Sequence, residues 1–199
     1  MELHVLLMLG LERGDIVKSF LVVQGLLELE KAEKWDQAKT LLYNLWYSDK
    51  GNVDKLCRVI AECWFVLTEW NCCIQNSNLS FASFKETLIE VMQYGIKHFP
   101  SDANFLCMSG YMISLFPDFF YRDNSDEQYS KWEQKGNDML RLATHIAPNN
   151  LICKILYLGT QPNALKEYLK AKIELAPRIN SIFSGHTAVE DYFKDILSN

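Results

Sequence analysis

The stretch from Phe84 to Leu115, FKETLIEVMQYGIKHFPSDANFLCMSGYMISL, decides how the chain folds. Its apolar residues recur at helical spacing up to Phe99, Pro100 closes that run, and Ser101-Asp102 opens a second one: a helix, a turn and another helix. The same shape returns around Pro148, in MLRLATHIAPNNLICKILYLG, and around Pro177, in ALKEYLKAKIELAPRINSIFSG. One helical hairpin cannot bury its own apolar face. Recurring hairpins therefore predict an all-α architecture of stacked antiparallel hairpins, each covering the next.

Working outward, the first helix is expected over residues 2 to 12, and Gly14-Asp15 supplies a turn and cap for a second that runs to about Lys34. Asp36 is expected to cap a third, with Ala38, Leu41, Leu42, Leu45 and Trp46 on one face. From Val53 to about Cys73 the apolar residues cover nearly the whole circumference, which predicts a central helix covered on more than one side. After the polar run at Gln75 to Asn78, Ser83 and Glu86 have capping-box spacing for the helix ending near Phe99. Pro117 stops the helix begun at Ser101-Asp102, since a proline in a helix interior costs about 3 kcal/mol. Ser125 and Gln128 open a helix to about Ile146 with Tyr129, Trp132, Met139, Leu140 and Ala143 inward. A short helix stopped by Gly159, another begun by Pro162 and a last one marked by Thr187 and Glu190 complete about eleven helices and no strands, in one domain over 1–199.

Of the chain's residues, 20 are Lys or Arg and 25 are Asp or Glu, for a formal net charge of −5. An acidic balance argues against a nucleic-acid surface and favours a cationic protein partner. Most of the six cysteines lie in apolar helical patterns, as in Leu56-Cys57 and Ile152-Cys153, so free buried thiols are expected in place of disulfides. The N-terminus is apolar for only about ten residues and carries Glu2, Glu12 and Arg13, which reads as a helix of the fold. No apolar run is long enough to span a bilayer, and a cytoplasmic location is the expectation.

The proline junctions resemble tetratricopeptide-type repeats. Pro100 is followed ten residues later by Gly110 and then Tyr111, and Lys34-Trp35-Asp36-Gln37-Ala38 is similar to the turn between the two helices of one repeat. The resemblance implies a helical solenoid that binds a protein. Its proline spacings here, 48 and 29 residues, depart from the regular repeat of about 34. In general style the acidic helical chain also resembles immunity proteins of bacterial contact-dependent growth inhibition. That likeness implies an antitoxin covering an essential surface of a cationic, nuclease-type toxin. Type III secretion chaperones look similar too, and imply an extended peptide held in the groove.

Catalytic signatures are not apparent. His98 and His145 sit in the last turn before a proline, where an imidazolium caps a helix C-terminus. His186 and Glu190 have a ligand-like i,i+4 spacing but no further partner, and Cys72-Cys73 is a vicinal pair, not a CxxC motif. With no GxSxG, P-loop or GxGxxG, no metal and no cofactor are expected.

The candidate site is the stretch from Phe116 to Asp138. Phe119, Phe120 and Tyr121 stand between helices beside Asp118, Asp123, Asp126, Glu127 and Glu133; with Asp138, six acids face three bases. Aromatic anchors with an acidic surround suit a basic protein partner, because aromatics dominate interface energy and charge sets the encounter rate; the other reading is that the rings fold back as a staple on the stack and the acids are simply solvated. The expectation is a non-enzymatic, cytoplasmic immunity protein that occludes a basic toxin domain through these residues. The alternative is a secretion chaperone or tetratricopeptide-like scaffold.

Overall fold

A computed structural model describes residues 20–70, 72, 74, 79–122 and 125–198. Ten α-helices and two 3-10 turns lie among them, and their one strand-like pairing is an isolated bridge between Trp70 and Ile74. The protein is all-α, as expected. The helix expected at 2 to 12, the Gly14-Asp15 start and the Gln75 to Asn78 run fall outside the described residues.

Helix α1 is short, Leu26–Lys31. The expected long helix through Phe20 and Val23 does not form. Gly25 adopts φ 82, a left-handed conformation that glycine takes without penalty. Phe20 ahead of it donates its N–H to Ile182 O at 2.9 Å. The α1 C-terminus is a Schellman arrangement, with Glu33 at φ 55, Lys34 N–H on Leu29 O and Glu33 N–H on Glu30 O.

Helix α2, Trp35–Tyr47, starts before its expected cap. Asp36 lies in the first turn and pairs with Lys39 at 2.9 Å, because the helix begins on Trp35, which is buried. Helix α3, Val53–Thr68, is capped by Asn52. Helix α4, Phe81–His98, is capped by Ser80, not Ser83. The earlier start brings Phe81 and Phe84 onto Trp70, and it frees Ser83 to accept from Lys39 and Glu86 to meet Arg122.

Asp102 caps α5, Ala103–Leu115, and Ser125 caps α6, Asp126–Ile146, both as expected. Between them Pro117–Phe120 forms a 3-10 turn. Helix α7, Leu151–Gly159, is capped by Asn150. Helix α8, Leu165–Leu175, starts three residues after Pro162. The 3-10 turn Ala176–Arg178 and the short α9, Ile179–Ile182, then lead to α10, Ala188–Ser198. Before α10, Thr187 N–H reaches Glu190 Oε2 at 3.3 Å and Glu190 N–H reaches Thr187 Oγ1 at 3.4 Å, a reciprocal capping box.

Sequence neighbours pack as pairs: α3 with α4, α5 with α6, and α7 with α8. Helix α5 also touches α3 and α7, so the three stack side by side. The α5–α6 contact is the most extensive, and two glycines account for it. A Cβ on Gly110 would lie 2.9 Å from Gly136 O, and one on Gly136 would lie 2.7 Å from Ser114 N, so only hydrogen at both positions lets the two backbones touch. A continuous core runs from Leu26 to Leu197.

Helix α3 is central, as its apolar circumference predicts. Leu56, Val59, Ile60, Cys63, Trp64 and Val66 are all buried, with α2 and α4 covering two sides and α5 a third. The remaining cover comes from far along the chain, where α10 returns to pack on both α3 and α8.

Candidate functional site

The Pro117–Phe120 turn aims two of the expected anchor rings inward. Phe119 is 8% exposed and stacks on Phe116 at 5.1 Å, with Phe81 edge-on at 6.2 Å. Phe120 is 1% exposed and stacks on Trp132 at 5.9 Å. The expectation that these rings stand free for a partner is therefore corrected: both fasten the turn to α4 and α6, where a large apolar ring gains more from burial than a loop position facing water could give it. Tyr121 is half-buried, with Lys85 Nζ 5.9 Å from its ring centre. Desolvation, followed by the charges of Asp118, Tyr129 and Asp126, raises its hydroxyl pKa.

The acids fare differently. Asp118 is half-buried, while Asp126, Glu127 and Glu133 are exposed; Asp123 lies outside the described residues. Asp126 and Glu127 occupy the first turn of α6, where the helix dipole favours negative charge. Tyr129, expected inward, is 41% exposed beside them. Two of the three neighbouring bases are engaged, and the third, Lys131, is exposed. Arg122 makes a forked contact with Glu86, Nη2 to Oε2 at 2.6 Å, which holds the Glu86 carboxyl below its ordinary range. Lys135 lies over the Trp132 ring at 4.7 Å, and its pKa is lowered by desolvation and then by Lys131. What faces solvent at the start of α6 is thus acidic with a tyrosine among it.

A second constellation was not foreseen. Arg58 of α3 is 1% exposed, and two carboxylates contact it. Its Nη2 reaches Glu30 Oε1 at 3.3 Å and Thr187 Oγ1 at 2.9 Å, and its Nη1 reaches Glu62 Oε2 at 3.3 Å. The Thr187 hydroxyl donates a hydrogen bond to Glu190 Oε2 at 2.7 Å, and Glu30 accepts the Ala188 N–H. Burial lifts the Glu62 carboxyl to about 8; Arg58 pulls it down and Glu30 pushes it up again. Burial likewise raises Glu30, against the Ala188 N–H and Arg58. Burial thus favours the protonated form of Glu62, which lowers the negative charge around the single guanidinium. The cluster joins α1, α3 and the cap of α10 across sequence separations of 28, 129 and 158 residues.

Helix α10 fills the surface between α3, α5 and α8. Tyr192 packs edge-on against Trp64 at 5.4 Å and shares a hydrogen bond with Tyr111 at 2.7 Å. Phe193 lies 5.9 Å from Tyr111, and Lys172 Nζ donates to Ile196 O at 3.0 Å. Burial, then the Tyr192 hydroxyl, raises the Tyr111 pKa far above its ordinary value. Beside α10 there remains an open groove of about 540 Å³ lined by Tyr111, Leu115, Ile155, Leu156, Tyr168 and Ile196.

The thiols and imidazoles form no reactive set among the described residues. Cys57, Cys63, Cys107 and Cys153 are buried and Cys72 is exposed, all five outside any disulfide; Cys73 lies outside the described residues. Burial raises the Cys63 pKa, and Cys107 is raised by its contact with Cys153 and then by burial, which disfavours the thiolate at both. His98 stacks on Tyr94 at 4.1 Å, and His186 has no bond to Glu190, whose oxygens serve Gly185 and Thr187. Among the described residues no group of three His, Cys, Asp or Glu is set to hold a metal ion, and no helix is long and apolar enough to cross a membrane.

No protein-family model, curated protein or solved structure matches this chain.

Proposed function

We propose that this chain is a non-enzymatic binding protein of tetratricopeptide-like build, and specifically an immunity protein that neutralises a cationic, nuclease-type toxin domain by covering an essential surface. The observation that carries this reading is the acidic surface at the start of α6, on a stack whose inner face α10 covers in part. In a tetratricopeptide-like stack α3, α5 and α7 line the inner face, where an extended peptide would lie, and α10 already lies against α3 and α5 there. The start of α6 instead offers Asp126, Glu127 and Glu133 to solvent, with Tyr121 and Tyr129 between them, while Arg122 is occupied by Glu86. Such a field speeds and orients the approach of a basic domain.

The alternative, a secretion chaperone or scaffold holding a peptide in the groove, requires α10 to vacate Trp64 and Tyr111. Binding of an unfolded basic segment accompanied by a shift in Trp64 fluorescence is its signature. For the leading reading, the test is stopped-flow association with a panel of folded basic nuclease toxin domains. The triple variant Asp126→Lys, Glu127→Lys, Glu133→Lys should slow association about tenfold or more at low salt and flatten its salt dependence. A triple variant that associates as fast as the parent chain excludes this surface.

A further inference from the structure

Helix α8 carries two apolar stripes, and only one is covered. Tyr168, Ala171, Lys172 and Leu175 face the body, with Ala171, Lys172 and Leu175 buried. Leu165, Leu169 and Ile173, at i, i+4 and i+8, are 70%, 49% and 76% exposed. Isolated exposed apolar side chains are ordinary, but three aligned on consecutive turns form a docking face.

The charges beside this stripe indicate what covers it. Lys166, Lys170 and Glu174 follow the same i, i+4, i+8 spacing one position along, and all three are exposed. In an antiparallel helix pair a flank meets the same flank of the other helix. With the two-fold axis passing between Leu169 and Lys170, Lys166 comes within one residue's rise of Glu174 of the second copy at one end, and the same pair repeats at the other. Lys170 then meets its own equivalent at the axis, where its long stem carries the ammonium out to water. The flank is thus self-complementary, which a two-fold interface requires. Its balance of two bases and one acid also gives a cationic toxin no attraction here, so this face is separate from the acidic start of α6.

We propose that α8 is a self-association surface on which two copies of this chain pair antiparallel, Leu165 of one against Ile173 of the other. Three apolar side chains per copy make a small interface, so the dimer is weak and concentration-dependent. This inference does not depend on the toxin-binding reading.

Sedimentation equilibrium of the full chain, from low micromolar to several hundred micromolar protein, tests it. The parent chain should dimerise, and Ile173→Glu should be monomeric throughout with an unchanged helical circular-dichroism spectrum. Should that variant fail to fold, Leu165→Ser provides the same reading at the other end of the stripe. Lys166→Glu and Glu174→Lys should each weaken the dimer about tenfold, and the double variant, which restores opposite charges, should recover it. A parent chain monomeric at the highest concentration overturns the proposal, as does a dimer that survives Ile173→Glu. A double variant no better than its parents overturns the antiparallel pairing. If Ile173→Glu instead abolishes capture of a basic toxin domain by a monomeric chain, the stripe belongs to that partner and not to a second copy.

Discussion

Helices α3 and α8 are both apolar beyond a single face, yet the protein covers one on every side and leaves the other partly bare. Around α3 the cover comes from α2, α4, α5 and α10, and it is complete enough to enclose Arg58 with its carboxylates. Around α8 it stops at the stripe of Leu165, Leu169 and Ile173. Apolarity in a sequence states a demand for burial; which element meets it, and whether any does, is settled by the path of the chain.

The sharpest way to break this contrast is to remove the charge that α3 buries. Arg58→Leu leaves the Glu30 carboxylate, and that of Glu62 wherever it ionises, in the interior without their cation, and should cost about 3–5 kcal/mol at neutral pH, read from urea unfolding. Because those carboxyls can take up protons, the loss should shrink as the pH falls. A loss below about 1 kcal/mol would show that water reaches the cluster.

A smaller effect isolates Glu62. Its carboxyl is protonated in the folded protein up to about 8, whereas in the unfolded chain it ionises near its ordinary 4.5. Its contribution is greatest below the lower value, declines as pH rises between the two and is absent above the upper one. Urea midpoints of the parent chain should therefore fall relative to those of Glu62→Gln across that window, and parallel profiles would contradict the assignment. The least effect is expected on α8. Ile173→Ser, at a side chain 76% exposed, should change the stability of the dilute monomer by no more than about 0.5 kcal/mol, checked by the same unfolding curves.

Local chemistry was legible in the sequence wherever a signal and its target are close together. Asp102, Ser125 and the Thr187–Glu190 pair cap helices as their spacing says, and the near-continuous apolar surface of α3 predicts its central place. Two caps were misplaced because several residues nearby could serve: Ser80 outcompetes Ser83 once Phe81 and Phe84 need Trp70, and burial of Trp35 starts α2 ahead of Asp36. Phe119 and Phe120 show why the candidate site was only half readable. Rings between two helices look the same in sequence whether they fold back or stand out, and here Phe116, Phe81 and Trp132 draw them in. The Arg58 cluster left only the i,i+4 spacing of Glu62 as a local trace, since Glu30 reaches it from α1 and Thr187 through the return of α10.

That return sets a timetable for synthesis. Arg58 is made 129 residues before Thr187, an interval of roughly ten seconds at ribosomal speeds of about 5–20 residues per second. Until the later segment emerges, Trp64 lacks its Tyr192 lid and the guanidinium its threonine, so the middle of the newborn chain is left incompletely covered over that interval.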